Sequence, residues 1–300
     1  MTEIIVTDKY VGMTVKSVLF GELGYSHALV AKLKRMTDGI IVNGERVTVR
    51  YALRMGDILR LNDGDREEDV NPHITPLYVP LDILYEDADC MAVNKPSGMP
   101  TIPTHGHRDD TLANVYAAHM GGAPFVFRPV NRLDRETSGI VLLAKTKAAA
   151  ARLGADMEAG KIRKTYTAVL DGVPTENEGE ISGYIVRRGD SIITRELRTE
   201  GKESDFSLTR WKKIATDGKR TVVEAAPVTG RTHQLRVHFA SIGAPISGDG
   251  LYGTENADIP HLLLHACKLT FPCADRSPVT VELPPPEYME KIVDQIGNAK

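Results

Sequence analysis

Between residues 27 and 61 the hydrophobic pattern changes period twice. Leu29, Leu33 and Met36 recur at i, i+4 and i+7, the spacing of one buried helix face, while Lys32 and Arg35 lie three apart on a second, cationic face. Ser26 stands where it could cap that helix. Asp38-Gly39 then interrupts the pattern, Ile40-Ile41-Val42 reads as a strand, and Asn43-Gly44 supplies a two-residue hairpin turn ahead of Val47 and Val49. Helix, turn and hairpin predict a small α+β unit over residues 1–62.

From about Leu81 the pattern alternates differently. Ile140 to Ala144 and Thr221 to Val223 read as strands, and Ala148 to Met157, ahead of Gly160, reads as a helix. Leu235 and Phe239 share one helix face that Gly243 terminates. Strands interleaved with helices and Gly/Pro-rich turns predict an α+β domain with a large mixed or antiparallel sheet over residues 81–290, whose strand order the sequence does not give. Asp63, Asp65, Glu67, Glu68 and Asp69, beside Gly64, Asn71 and Pro72, are too polar to pack and predict an acidic linker over residues 63–80. Residues 291–300 read as a C-terminal tail.

Composition narrows the function classes. A chain of 300 residues, 42% hydrophobic and 26% charged, is ordinary for a soluble globular protein and long enough for one large domain or two unequal ones. A net charge of -3 excludes an indiscriminate polycation, so any nucleic-acid contact must rest on local charge. The first unit has such a local excess: nine Lys and Arg against six acids between Met1 and Arg60. Cys90, Cys267 and Cys273 are too scattered for a disulfide framework or a zinc ribbon. The N-terminus lacks a basic region ahead of a long apolar run, and no apolar stretch approaches the ~20 residues of a membrane span, so a cytoplasmic protein with no membrane partner is expected, a monomer by default.

Three segments carry candidate chemistry. The first runs from Arg128 to Gly139; if Arg132 to Asp134 is extended, Arg132 and Asp134 face one side and Leu133 the core. Read alone, this is equally an exposed loop with a solvated ion pair. In the second, Thr229 to His238, a Gly turn feeds a helix with Arg231 at its N-terminus, where unpaired N–H groups favour an anion. The third, Lys161 to Leu170, is a strand entered through the basic cluster Lys161, Arg163 and Lys164; its Tyr166, read alone, is a packing residue. His105 with His107, and His233 with His238, have suggestive spacings but no carboxylate or cysteine companion, so no metal site is expected. A serine hydrolase is disfavoured by the lack of a Gly-x-Ser-x-Gly elbow, and Ser138 reads as a residue shaping the loop of Asp134.

Together the segments resemble the RluA-type pseudouridine synthase family. The resemblance spans Leu81 to about Leu283 and rests on Ile83 to Asp87 with Val93 to Gly98, Arg132-Leu133-Asp134 with Thr137-Ser138-Gly139, Lys164-Thr165-Tyr166, and Gly230 to His238. Ahead of it, Lys34-Arg35, Asp38-Gly39-Ile40, Val42-Asn43-Gly44 and Gly56-Asp57 resemble the alpha-L RNA-binding module of the ribosomal-protein S-four type. The resemblance implies that Asp134 is the catalytic carboxylate, Arg231 its ion-pair partner, and Tyr166 the ring against the target uracil. It further implies that Arg132 fills the stack after the base leaves, that Leu235 supplies an apolar wall, and that Lys164, Lys32 and Arg35 contact RNA. Asn131 stands where many members carry His, which bears on RNA contacts more than on chemistry. The implied reaction needs no cofactor or metal, and the implied partner is structured RNA: large-subunit ribosomal RNA by analogy, with transfer RNA as the alternative. Two other readings are a non-catalytic RNA-binding or ribosome-assembly protein and a glycosidase-like hydrolase using Asp134.

Overall fold

The computed structural model describes residues 2–25, 27–64, 69–70, 73–189, 191, 193–254 and 258–299. Within them the chain forms two sheets, each with its own apolar core. In the first unit, β1 (Thr2–Ile5) pairs with β4 (Ile58–Leu61), which pairs with β2 (Ile40–Val42), itself joined to β3 (Glu45–Arg46), all antiparallel. Asn43 and Gly44 both take positive φ, 50° and 88°, the turn that a two-residue hairpin requires. A short helical stretch, α1 (Val15–Ser17), runs into a π-turn, Val18–Glu22, and α2 (His27–Arg35) buries Leu29, Val30 and Leu33. Ser26, expected to cap α2, lies outside the described residues.

The second unit is a ten-stranded sheet. Its strands are β5 (Ile83–Glu86), β6 (Cys90–Lys95), β7 (Ser138–Ala144), β8 (Arg163–Asp171), β9 (Glu178–Arg187), β10 (Arg195–Arg198), β11 (Phe206–Thr216), β12 (Arg220–Pro227), β13 (Leu264–Pro272) and β14 (Pro278–Glu282). They run in the order β10-β9-β11-β12-β8-β13-β7-β6-β5, with β14 on β13, and every pairing is antiparallel except β13 with β7. The parallel pairing leaves no space over Gly139: at φ 117° an added Cβ would lie 2.4 Å from the Ala266 carbonyl oxygen. All seven residues of β7 are buried because both faces are covered. Val141 and Leu143 pack with Leu112 and Tyr116 of α3 (Leu112–His119) and with Leu235 and Phe239 of α5 (Gln234–Ser241). Ile140 and Leu142 pack the other way, against Ala149 and Leu153 of α4 (Lys147–Glu158).

The linker and tail expectations need correction. Asp63 is 6% exposed and belongs to the first unit's core, where it accepts hydrogen bonds from the Thr2 backbone and the Thr2 and Tyr25 hydroxyls. Asp69 bridges Lys32 of α2 (3.2 Å) and Lys147 of α4 (2.8 Å), so Lys32, expected to contact RNA, is instead tied to this carboxylate. Asp65, Glu67, Glu68, Asn71 and Pro72 lie outside the described residues. At the other end, residues expected to form a tail continue α6 (Glu287–Gly297), whose Met289 and Ile296 are buried against Val169 and Val222. No helix among the described residues is long and apolar enough to cross a membrane.

Candidate active site

Asp134 sits in the loop between α3 and β7, and that loop is pinned from several sides. Asn131 is 7% exposed; its Nδ2 donates to the Ile140 carbonyl (3.2 Å) and its Oδ1 accepts the Leu142 N–H (2.8 Å), which docks the loop on β7. The Thr101 hydroxyl donates to the Leu133 carbonyl at 2.9 Å and accepts the Leu133 N–H at 3.2 Å. Beyond Asp134, the Ser97 hydroxyl donates to the Glu136 carbonyl (2.7 Å). Lys95, at the end of β6 and wholly buried, donates from Nζ to the carbonyls of Pro96 (2.9 Å), Met99 (2.7 Å) and Arg135 (3.2 Å). Burial pushes the Lys95 ammonium down to about 7, against the pull of Asp134 and Glu136.

The Asp134 carboxylate is half-buried and makes no ion pair or side-chain hydrogen bond among the described residues. It lines a cavity of about 1370 Å³ together with Arg132, Lys164, Arg231, His233 and Arg236. A smaller recess of about 90 Å³ shares those six residues and adds Tyr166 and Leu235. Leu133 faces the core as expected, at 7% exposure, while Arg132 is exposed at the rim. Tyr166, on β8, packs in the core cluster with Leu235; burial first, and Asp134 second, raise its phenol well above the ordinary range, so the hydroxyl stays protonated. Lys164 is half-buried, and burial holds its ammonium below the usual lysine range.

Arg231 departs from expectation. α5 begins only at Gln234, so Arg231 lies in the preceding turn, exposed; its Nε donates to the Phe206 carbonyl (2.9 Å) and it makes no ion pair with Asp134. Asp134 does act on the guanidinium of Arg236, the third residue of α5. Arg236 makes a two-pronged pair with Asp249, Nε to Oδ2 and Nη2 to Oδ1, both 2.7 Å, with side-chain exposures of 5% and 0%. Burial acts to lower its pKa, but Asp249 and then Asp134 outweigh it and hold the guanidinium above its usual range. On the same helix Gln234, also buried, spans Thr229, the Arg231 N–H, Leu208 and Thr209 and so fixes the turn.

Arg35, the remaining expected RNA contact, is exposed at the end of α2, and Lys161, of the basic cluster before β8, pairs with Asp156 of α4 at 3.3 Å and does not line the cavity. His233 and His238 turn to different partners: His233 to the Tyr252 hydroxyl, His238 to the hydroxyls of Ser207 and Thr209. Ser138 is buried against His265 Nδ1 (2.9 Å), a structural contact. Reading the sequence assigned no role to Lys95, Thr101, Arg236, Asp249 or Tyr252, although Lys95 and Arg236 lie within the segments Val93 to Gly98 and Gly230 to His238 that carry the resemblance.

The RNA pseudouridylate synthase family model matches residues 89–241. The chain is 36% identical over 288 residues to the RNA pseudouridine synthase YjbO of Bacillus subtilis (strain 168), covering 94% of this chain and 98% of that one. It is 32% identical over 221 residues to the mitochondrial tRNA pseudouridine(32) synthase of Saccharomyces cerevisiae, covering 71% of this chain and 45% of that one. Among solved structures, human RNA pseudouridylate synthase domain containing 1 superposes with a TM-score of 0.56 at 30% identity, over 69% of this chain and 84% of that one. With that family model matched over residues 89–241, and with these relatives, the chain belongs to the RluA-type RNA pseudouridine synthases, a family of isomerases.

Proposed function

We propose that the chain isomerises specific uridines of structured RNA with Asp134 as the nucleophile. The observation that carries this reading is a half-buried carboxylate, without an ion pair among the described residues, lining the recess shared with Tyr166 and Leu235. The bond between uracil N1 and ribose C1′ breaks with its electron pair on the base as a carboxylate oxygen of Asp134 bonds to C1′; C5 of the turned base then bonds to C1′ while the Asp134–C1′ bond breaks and its electron pair returns to the carboxylate. C5 gives up its proton and N1 takes one, so no oxidation or group loss occurs. A carboxylate does this only while ionised, and the charge of Asp134 bears on both Lys95 and Arg236.

A stacked uridine has to leave the RNA stack to reach such a recess, at a cost of a few kcal/mol. Tyr166 and Leu235 then bracket the base, and Arg132 at the rim occupies the vacated stack. The cavity lining holds Arg132, Arg135, Lys164, Arg231 and Arg236 against Asp134 and Glu136, a local cationic surface on a chain whose net charge is -3. The first unit acts as an alpha-L RNA-binding module, with Arg35 exposed on α2. The RNA class we propose is large-subunit ribosomal RNA. The yeast relative named for tRNA supplies the competing outcome. Pseudouridine mapping of total RNA from cells with and without the gene tests this reading: loss of a site in large-subunit RNA supports it, loss confined to tRNA reassigns the substrate, and free uracil with abasic ribose would identify a hydrolase.

A further inference from the structure

Tyr252 and His233 form a pair that the chemistry above does not use. His233 caps α5 in a left-handed backbone conformation, φ 58° and ψ 20°, which a non-glycine residue keeps only where its surroundings hold it. It lines the cavity beside Asp134, and its Nδ1 lies 2.8 Å from the Tyr252 hydroxyl. That hydroxyl oxygen also accepts the backbone N–H of Arg195, at the start of β10, at 2.8 Å. The hydroxyl proton has no acceptor other than Nδ1 among the described residues, and donating it there satisfies both groups at once. Nδ1 is then the acceptor, and the proton of the neutral imidazole sits on Nε2. Burial favours that neutral form, against the pull of Asp134.

Tyr252 is itself fixed. Its ring lies under the Arg236 guanidinium, 5.3 Å from the centroid, and its backbone N–H donates to Asp249 Oδ1 at 3.1 Å. The two rings meet edge-on, with centroids 5.6 Å apart and planes at 79°. Nε2 has no protein partner among the described residues.

We propose that His233 is a further substrate-binding residue whose Nε2–H donates to a carbonyl oxygen of the flipped uracil, and that Tyr252 is the positioning residue that fixes this tautomer. The proposal rests on the reading of the Asp134 recess as the uridine site. When the N1–C1′ bond breaks, the departing base spreads negative charge over its carbonyl oxygens, and a donor already in place stabilises that charge without reorganising. A neutral donor also leaves Asp134 free, whereas an imidazolium at this position would pair with it.

The test is made on the full chain. Selective 15N-histidine labelling, with His233→Gln for assignment, is expected to show the parent His233 protonated at Nε2 and bare at Nδ1, and Tyr252→Phe to release a mixture of tautomers. Single-turnover assays use bulk RNA from cells lacking the protein, tritiated at uridine C5. Tyr252→Phe should slow tritium release on the order of tenfold at unchanged RNA affinity, and His233→Leu about a hundredfold. His233→Gln, whose amide nitrogen reaches the Nε2 position, should recover most of that loss. A parent His233 protonated at Nδ1 overturns the proposal, as does Tyr252→Phe at the parental rate or Gln as slow as Leu. If the His233 variants fail to fold, the histidine whose signals Tyr252→Phe changes is taken as His233, and its parent spectrum and the Tyr252→Phe rate decide. Asp134→Asn run alongside separates the two readings: if it still turns over, the site reading fails, and if it is inactive while Tyr252→Phe is normal, only the role of His233 and Tyr252 fails.

Discussion

At the scale of the residue, the cation beside Asp134 is a matter of burial. Arg231 is exposed and bonded to a carbonyl, whereas Arg236 is locked in a buried pair with Asp249 and still feels Asp134. An exposed charge is screened by water; a buried one is not. Arg231→Ala is therefore expected to weaken RNA binding while single-turnover rates stay within about threefold of the parent. Arg236→Met should leave Asp249 buried without its partner, lower stability by about 3–5 kcal/mol and slow turnover strongly. The reverse order of effects on turnover would restore Arg231 as the partner. Lys95 gives a pH test. Its folded-state pKa, about 7, lies below the unfolded lysine value, so between the two the unfolded chain holds a proton that the folded chain lacks, and stability rises with pH. Lys95→Met removes that slope along with three hydrogen bonds. The parent's advantage over the variant in urea should widen from about pH 7 to about pH 9, and a constant difference would contradict the assignment.

At the scale of the element, the loop before β7 matters because it carries Asp134 on backbone that makes few ladder bonds of its own. Asn131, Thr101, Ser97 and Lys95 supply the missing partners. Asn131→Ala should cost about 1–3 kcal/mol, because it strands the Ile140 carbonyl and the Leu142 N–H in a buried site. It should also reduce turnover more than RNA affinity, by loosening Asp134; loss of affinity alone would return Asn131 to the RNA-contacting role expected from the sequence. Local signals were legible at this scale: Asn43-Gly44 turns as a hairpin, and the helix expected over Ala148 to Met157 is α4. What was not legible depends on distant partners. Arg236 on a helix reads as a solvated charge until Asp249 is brought against it. Asp63 reads as linker until Tyr25 and Thr2 close over it. The parallel match of β13 to β7 joins segments 127 residues apart, as Ser138 and His265 do.

At the scale of the molecule, two separate cores meet through a few contacts. Asp69 ties α2 to α4, Ala148 packs on the first unit, and Thr75 and Leu77 belong with α3 through Asn114. Deleting residues before 74 should therefore leave a folded catalytic unit that binds RNA more weakly and with a shallower salt dependence, because phosphate contacts from the first unit are gone. Equal affinity and slope for both forms would show that the first unit does not bind the substrate. Every functional statement about the molecule still turns on one carboxylate. Asp134→Asn keeps the side chain's shape and removes its charge, and the Asp134 carboxylate has no side-chain hydrogen bond or ion pair among the described residues whose loss would unfold the chain. The decisive measurement is single-turnover tritium release from uridine C5, on an RNA that the parent modifies, with melting temperature and RNA affinity followed in parallel. The account predicts an unchanged melting temperature, retained binding and a rate lowered by at least about a thousandfold. A rate within severalfold of the parent would contradict it.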